Sequence, residues 1–126
     1  MGVPARKWLT RAEVLLQLER GRSRLKEDPH STVLEAALEG GMSTEHFIRM
    51  FSETYGIKPS KYLAKARLEL ARAELEKTGQ PVWQIGLKFG FKDSSAFCRA
   101  FRREFGVSPQ KARKEFSQFQ HIGERE

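Results

Sequence analysis

Two arginines hold the most distinctive position in this chain. Arg49 lies within Phe47-Ile48-Arg49-Met50-Phe51, and Arg99 lies within Phe97-Cys98-Arg99-Ala100-Phe101. On a helix, residues four apart share a face, so each pair of phenylalanines would anchor to a core. The arginine between them would then point outward as a planar, always-charged fork of donors. Other chemistries find no footing. The sequence offers no paired carboxylates, no Cys/His pair, no Gly-rich phosphate loop and no metal-ligand cluster, which argues against an enzyme and against a cofactor or metal. His30, His46 and His121 lack metal-ligand spacing. Cys98 is the only cysteine, which excludes an internal disulfide; it reads as a small half-exposed side chain rather than a redox switch.

The likeness around the two arginines extends in both directions. Tyr55-Gly56-Ile57-Lys58-Pro59 matches Phe105-Gly106-Val107-Ser108-Pro109, and the offset is 50 in both comparisons. Upstream, Gly41-Met42 matches Gly90-Phe91 at an offset of 49. Such self-similarity marks two copies of one supersecondary unit. Each copy reads as a helix, a sharp glycine-containing turn and a second helix, which is the helix-turn-helix arrangement. Arg49 and Arg99 stand where such a second helix would meet a groove.

The elements that must position these residues are helical throughout. Apolar residues recur at i+3 and i+4, and strand signals are nearly absent. The first helix is expected over about 10–26, with Ala12, Leu15, Leu18, Arg22 and Leu25 on one face, and Gly21 weakens its middle. Asp28-Pro29 stops it. Thr32 and Glu35 form a capping box for a second helix that ends at Gly40-Gly41. Ser43 caps a third over 44–55, with Phe47, Met50, Phe51 and Tyr55 as its ridge. The longest helix runs from Pro59 to about Lys77, its stripe being Leu63, Ala66, Leu70 and Ala73, broadened by Ala71 and Leu75. A fifth spans about 81–89. A sixth, capped by Asp93 or Ser94, runs to Phe105 with Phe97, Phe101 and Phe105 on one face. A short last helix runs from Ser108-Pro109 to about Phe116. The expectation is an all-α, seven-helix domain. Residues 10–58 and 80–116 would form two helix-turn-helix subdomains, joined by a linker helix over 59–79 and flanked by flexible ends at 1–9 and 117–126.

Composition agrees with a small basic domain. The 126 residues carry a net charge of +7 and a pI near 9.9, which points to a polyanionic partner. The charge is uneven: residues 33–58 are net −2, whereas residues 80–126 are net +4. No apolar run reaches the ~18 residues of a membrane span, and no signal core or myristoylation pattern is present. A cytoplasmic chain without membrane contact is expected.

The sequence resembles the DNA-binding domain of AraC/XylS-type transcription regulators from about Val33 to Glu115. The residues that carry the resemblance are Gly41-Met42-Ser43 with Phe47 and Phe51; Gly56-x-x-Pro59-x-x-Tyr62; Arg67-x-x-x-Ala71-x-x-x-Leu75; Ile85 with Gly90-Phe91; and Phe97-x-x-x-Phe101 with Gly106-x-x-Pro109. Gly86 stands where that family usually has alanine, which would loosen its helix. The resemblance implies two reading helices in double-stranded DNA. The third helix would present Thr44, Glu45, Ile48 and Arg49 to a major groove. Arg49 would grip a guanine edge, Ile48 would touch a thymine methyl, and Glu45 would accept from cytosine, repel phosphates or merely cap its helix. The sixth would present Ser94, Ser95, Cys98, Arg99 and Arg102. Arg99 would read a base, and Arg102 or Arg103 would reach phosphate. Arg67 is divided between a structural ion pair and DNA. A linker of roughly 18 residues is about 27 Å long, close to one DNA turn of ~34 Å. Successive grooves, one asymmetric site and a monomer on DNA follow. Contact with RNA polymerase is implied by the family resemblance alone. The alternative is a basic helical module that sequesters or bridges another regulator, which Glu45 and the acidic first unit keep open.

Overall fold

The computed structural model describes the backbone of residues 10–124 and the side chains of residues 10–119. Of the ends expected to be flexible, 1–9 and 117–126, residues 1–9 and 125–126 lie outside the described residues, and 117–124 are helical instead. Seven helices follow in order, among the described residues: α1 Arg11–Glu27, α2 Val33–Glu39, α3 Thr44–Tyr55, α4 Pro59–Lys77, α5 Val82–Lys88, α6 Ser94–Phe105 and α7 Pro109–Glu124. The fold class is all-α, as expected. Side-chain caps set the starts of α1, α2, α3 and α6. Thr10 and Thr32 each form a complete capping box, with Glu13 and Glu35. Ser43 accepts from the His46 N–H, and Asp93, not Ser94, accepts from the Ala96 N–H. The last helix is longer than the expected stop near Phe116, because no helix-breaking residue intervenes before Gly123.

The residues divide into two compact units, with the boundary between Leu63 and Ala64. The first unit closes over Leu18, Leu25, Ala36, Ala37, Met42, Phe47, Phe51 and Leu63. The second closes over Leu68, Ala71, Leu75, Ile85, Phe89, Phe97, Phe101 and Ala112. These sets are in register. Leu18, Leu25, Phe47 and Phe51 recur fifty positions later as Leu68, Leu75, Phe97 and Phe101. Each copy is therefore three helices closed by the opening turns of a fourth, α4 in the first unit and α7 in the second, and the later part of α4 serves as the first helix of the second unit. Leu68, absent from the expected stripe, is a core residue for that reason.

Each turn between a unit's last two helices is made by a glycine at positive φ, Gly41 at 74° and Gly90 at 94°. Any Cβ there is strained, so glycine is the residue the bend requires. Met42 N–H donates to Ala37 O at 2.9 Å, and Phe91 N–H donates to Gly86 O at 3.0 Å, the same bond one repeat apart. The Arg67 side chain covers Gly90, where a Cβ would lie 3.3 Å from Nε. Gln17 covers Gly41 in the same way at 3.5 Å from Nε2. Arg67 thus packs on the turn of its own unit.

Two expectations for α1 are corrected. Ala12 and Leu15 are exposed, Leu15 at 40%. The buried stripe is Val14, Leu18, Gly21 and Leu25 instead. Gly21 is the reason. A Cβ on it would lie 2.4 Å from the Phe47 ring and 2.8 Å from the Ala36 carbonyl oxygen. The missing side chain lets α1 close directly on the ring of α3, which turns the stripe toward that contact. Gly86 plays the same part in the second unit, where a Cβ would lie 2.9 Å from Phe97. It is a close-packing device there rather than a loosening of α5.

A polar network ties the first unit's outer edge. Arg22 pairs with Glu19 at 2.8 Å and donates to the Tyr62 hydroxyl at 3.0 Å, while the Tyr55 hydroxyl donates to Glu19 at 2.9 Å. Arg22, then Tyr55, hold the Glu19 carboxyl below its ordinary range. Burial first, and the hydrogen bond to Glu19 second, push the Tyr55 phenol up to about 12 from 10.0. The second unit has Arg72 over the Phe105 ring at 4.8 Å, the same stacking with the hydroxyl deleted.

Two outcomes follow for stability. Gly21→Ala gains up to ~1 kcal/mol of helix propensity but overpacks a buried ring and a backbone carbonyl, so a net loss of about 1–3 kcal/mol is expected in urea denaturation. Tyr55→Phe should cost about 1 kcal/mol at neutral pH. In the parent protein the unfolded phenol ionises above pH 10 while the folded one stays protonated to about 12, so stability falls as pH rises through that window. Thermal melts of Tyr55→Phe should lack that component of the alkaline decline.

Candidate nucleic-acid interface

Two helices, α3 and α6, carry the residues singled out by the repeat. Each buries an aromatic ridge in its own unit. Phe47 and Phe51 stack at 5.4 Å between centroids, and Phe51 meets Tyr55 at 4.6 Å and 58°. Phe97 and Phe101 meet edge to face at 5.7 Å and 71°, and Phe101 meets Phe105 at 4.6 Å and 58°. All four of Phe47, Phe51, Phe97 and Phe101 are fully buried. Rotation by about 100° per residue then fixes the remainder of each helix. In α3, Glu45, Ile48 and Arg49 are exposed and Thr44 is half-buried. In α6, Ser95, Arg99, Arg102 and Arg103 are exposed, and Ser94 and Cys98 are half-buried. Thus Arg49 with Glu45, and Arg99 with Ser95 and Arg102, share the faces opposite the phenylalanine ridges. Ser94 and Cys98 sit on the flank of α6, lining a cleft with Trp83, Pro109 and Arg113.

The charged groups differ sharply between the outward and the packed faces. Arg22, Arg24 and Arg72 each pair with carboxylates of their own unit. Arg113 donates to the backbone carbonyls of Leu75 and Gln80, satisfying the end of α4. Among the described residues, by contrast, no carboxylate lies in ion-pair range of Arg49, Arg99, Arg102 or Arg103. Their guanidinium forks face solvent, free to take a partner from outside the chain. Glu45 stands in the first turn of α3, where its charge suits the helix dipole. The cap there is Ser43, so Glu45 is not held in that role.

Sequence reasoning passed over Ser52. It shares the outer side of α3, and its hydroxyl donates to the Ile48 carbonyl at 2.7 Å. Its place in the repeat is that of Arg102, so the offset of 50 was the signal that could have found it. Among the described residues there is no group of three or more His, Cys, Asp or Glu side chains placed to hold a metal ion, and no helix long and apolar enough to cross a membrane.

Known proteins share this arrangement. Residues 36–115 match the helix-turn-helix domain family. The chain is 39% identical over 83 residues to an HTH-type transcriptional regulator of Mycobacterium tuberculosis, covering 66% of this chain and 32% of that protein. It is 35% identical over 80 residues to the HTH-type transcriptional activator RhaS of Klebsiella pneumoniae, covering 64% and 29%. The chain therefore spans about a third or less of the curated relatives it matches. Among solved structures, an AraC-type transcriptional regulator from Chromobacterium violaceum superposes with a TM-score of 0.77 at 28% identity, over 85% of this chain and 97% of that one. The DNA-binding domain of AdpA, solved in complex with a target DNA, superposes with a TM-score of 0.66 at 26% identity, over 82% and 92%. With its paired helix-turn-helix units and their matched turns, this chain belongs to the AraC-type helix-turn-helix DNA-binding domains.

Proposed function

We infer that this chain is the sequence-specific DNA-binding part of a transcription regulator, acting in the cytoplasm and setting α3 and α6 into successive major grooves of one asymmetric site, one chain per site. The observation that carries this reading is the contrast among arginines. Those on packed faces are engaged within the chain, and those on the outward faces of α3 and α6 are not. The single helix α4 has 19 residues, about 28 Å at 1.5 Å each, a length suited to one helical turn of DNA.

In this reading Arg49 and Arg99 grip guanine edges with two hydrogen bonds each. Ile48 packs on a thymine methyl, and Glu45 accepts from a cytosine amino group. Thr44, Ser94, Ser95 and Cys98 border the grooves, and Arg102 and Arg103 hold phosphates. The tandem units favour an asymmetric site over a palindrome. Where the grooves must approach more closely than one turn, the duplex bends, at a cost of a few kcal/mol. Contact with RNA polymerase rests on the family alone. The charge asymmetry divides the labour: the second unit supplies most of the backbone affinity, and the acidic first unit adds selectivity.

Mobility shifts on genomic fragments and on random duplex test this. With six to ten phosphate contacts, affinity should fall roughly a thousandfold between about 50 and 200 mM salt. Arg99→Ala should weaken binding to random duplex more than Arg49→Ala does, while each costs about 1–3 kcal/mol on a selected site. Both side chains are exposed, so each variant should melt within about 0.5 kcal/mol of the parent. Equal losses on random DNA would overturn the division of labour. No shift at low salt would overturn DNA binding itself and favour a protein-interaction module.

A further inference from the structure

The helices that precede α3 and α6 carry an unexplained feature. On α2, Leu34 and Leu38 are 57% and 68% exposed; on α5, Trp83 and Leu87 are 56% and 50% exposed. Each pair is spaced i,i+4, and the two pairs are equivalent at the repeat offset of 49. Single exposed apolar residues are ordinary on protein surfaces. A pair retained at the same place in both copies is not scatter, because the charges beside it have been exchanged. Arg24 pairs with Glu39 at 3.0 Å in the first unit, and the equivalent positions hold Glu74 and Lys88, paired at 2.7 Å, in the second.

We propose that these two faces are the complementary halves of a heterologous contact between two copies of this chain, α2 of one against α5 of the other. Charge selects this occupant. Beside Leu34 and Leu38, the one guanidinium of Arg24 serves three carboxylates, Asp28, Glu35 and Glu39, which leaves an acidic border. Beside Trp83 and Leu87, Lys88 serves the single carboxylate of Glu74, and Arg113, which lines a cleft with Trp83 and has no carboxylate in ion-pair range among the described residues, leaves a basic border. Pairing α2 with α2, or α5 with α5, would set like charges together; pairing α2 with α5 sets opposite ones together.

Four side chains offer only a fraction of the roughly 1,200 Å² that a stable interface buries. The contact is therefore weak in free solution and takes effect when copies lie side by side on one duplex, a step that rests on the DNA-binding reading above. Each chain keeps its own site, and neighbours gain cooperativity. Because a heterologous contact need not close, it can extend along a run of sites.

The first test needs no DNA. Equal amounts of nitrogen-15-labelled and unlabelled chain, at high concentration, are treated with a carbodiimide and digested. Mass spectrometry should find mixed-isotope peptides joining Glu35 or Glu39 to Lys88. Their yield should fall several-fold in Leu38→Ser and in Leu87→Ser. It should recover in an equimolar mixture of the two, where one intact face of each kind remains. Absence of these links, yields unmoved by both substitutions, or a mixture that fails to recover would each overturn the contact. Leu34→Ser replaces Leu38→Ser if circular dichroism shows lost helix. On long random duplex the parent should fill cooperatively, and Leu87→Ser should keep its low-occupancy affinity while losing that cooperativity. A chain that cross-links as expected but does not bind duplex sinks the DNA reading and leaves the contact standing.

Discussion

Burial of one aromatic ridge on each of two short helices governs the molecule. Phe47 and Phe51 in α3, and Phe97 and Phe101 in α6, have no solvent exposure. Fully burying side chains of that size is worth about 1.5–3 kcal/mol each, more than any exposed ion pair on this surface. Once the ridge is inside, helical geometry leaves no freedom about what faces out. Arg49 and Arg99 are thus presented by the phenylalanines beside them. The caps at Ser43 and Asp93 fix where that presentation begins.

Around the shared ridge, the two copies solve the same packing problem with different residues. Where the first unit brings α1 onto Phe47 through Gly21, the second places Ala71 at the equivalent position and makes room beside Phe97 through Gly86. The close approach has moved from the first helix of the unit to the second. Likewise, Tyr55 anchors to Glu19 and Arg22 through its hydroxyl, whereas Phe105 keeps only the cation stacked on its ring. The first unit holds its edge with directed hydrogen bonds, and the second with packing. What stays constant is the pair of positive-φ turns and the outward faces they deliver.

Much of this was legible in the chain itself. The bounds of α3 and α4 could be read from Ser43, Gly56, Pro59 and Gly79, because caps and breakers act locally. The paired arginines could be read from the repeat. The failures were tertiary. Ala12 and Leu15 fit a helical period but not the contact that Gly21 creates with Phe47, which no local pattern encodes. Leu68 lies outside the stripe of a helix read as a linker alone, although the offset linking Leu18 to Leu68 and Leu25 to Leu75 is present in the sequence. Cys98 is half-exposed, as its place in the repeat suggests, while the cleft it and Ser94 share with Trp83, Pro109 and Arg113 is a tertiary feature that spacing along one helix does not encode.

The start of α7 repeats that of α4. Pro109 stands where Pro59 stands, and both are buried against the unit that precedes them. In α4 the chain then continues into Leu68, the first core residue of the next unit; in α7 the corresponding residue is the exposed Gln118. The same proline start therefore leads once into a buried core and once onto a solvated surface, so that one repeat position, 68 and 118, meets opposite environments in the two helices.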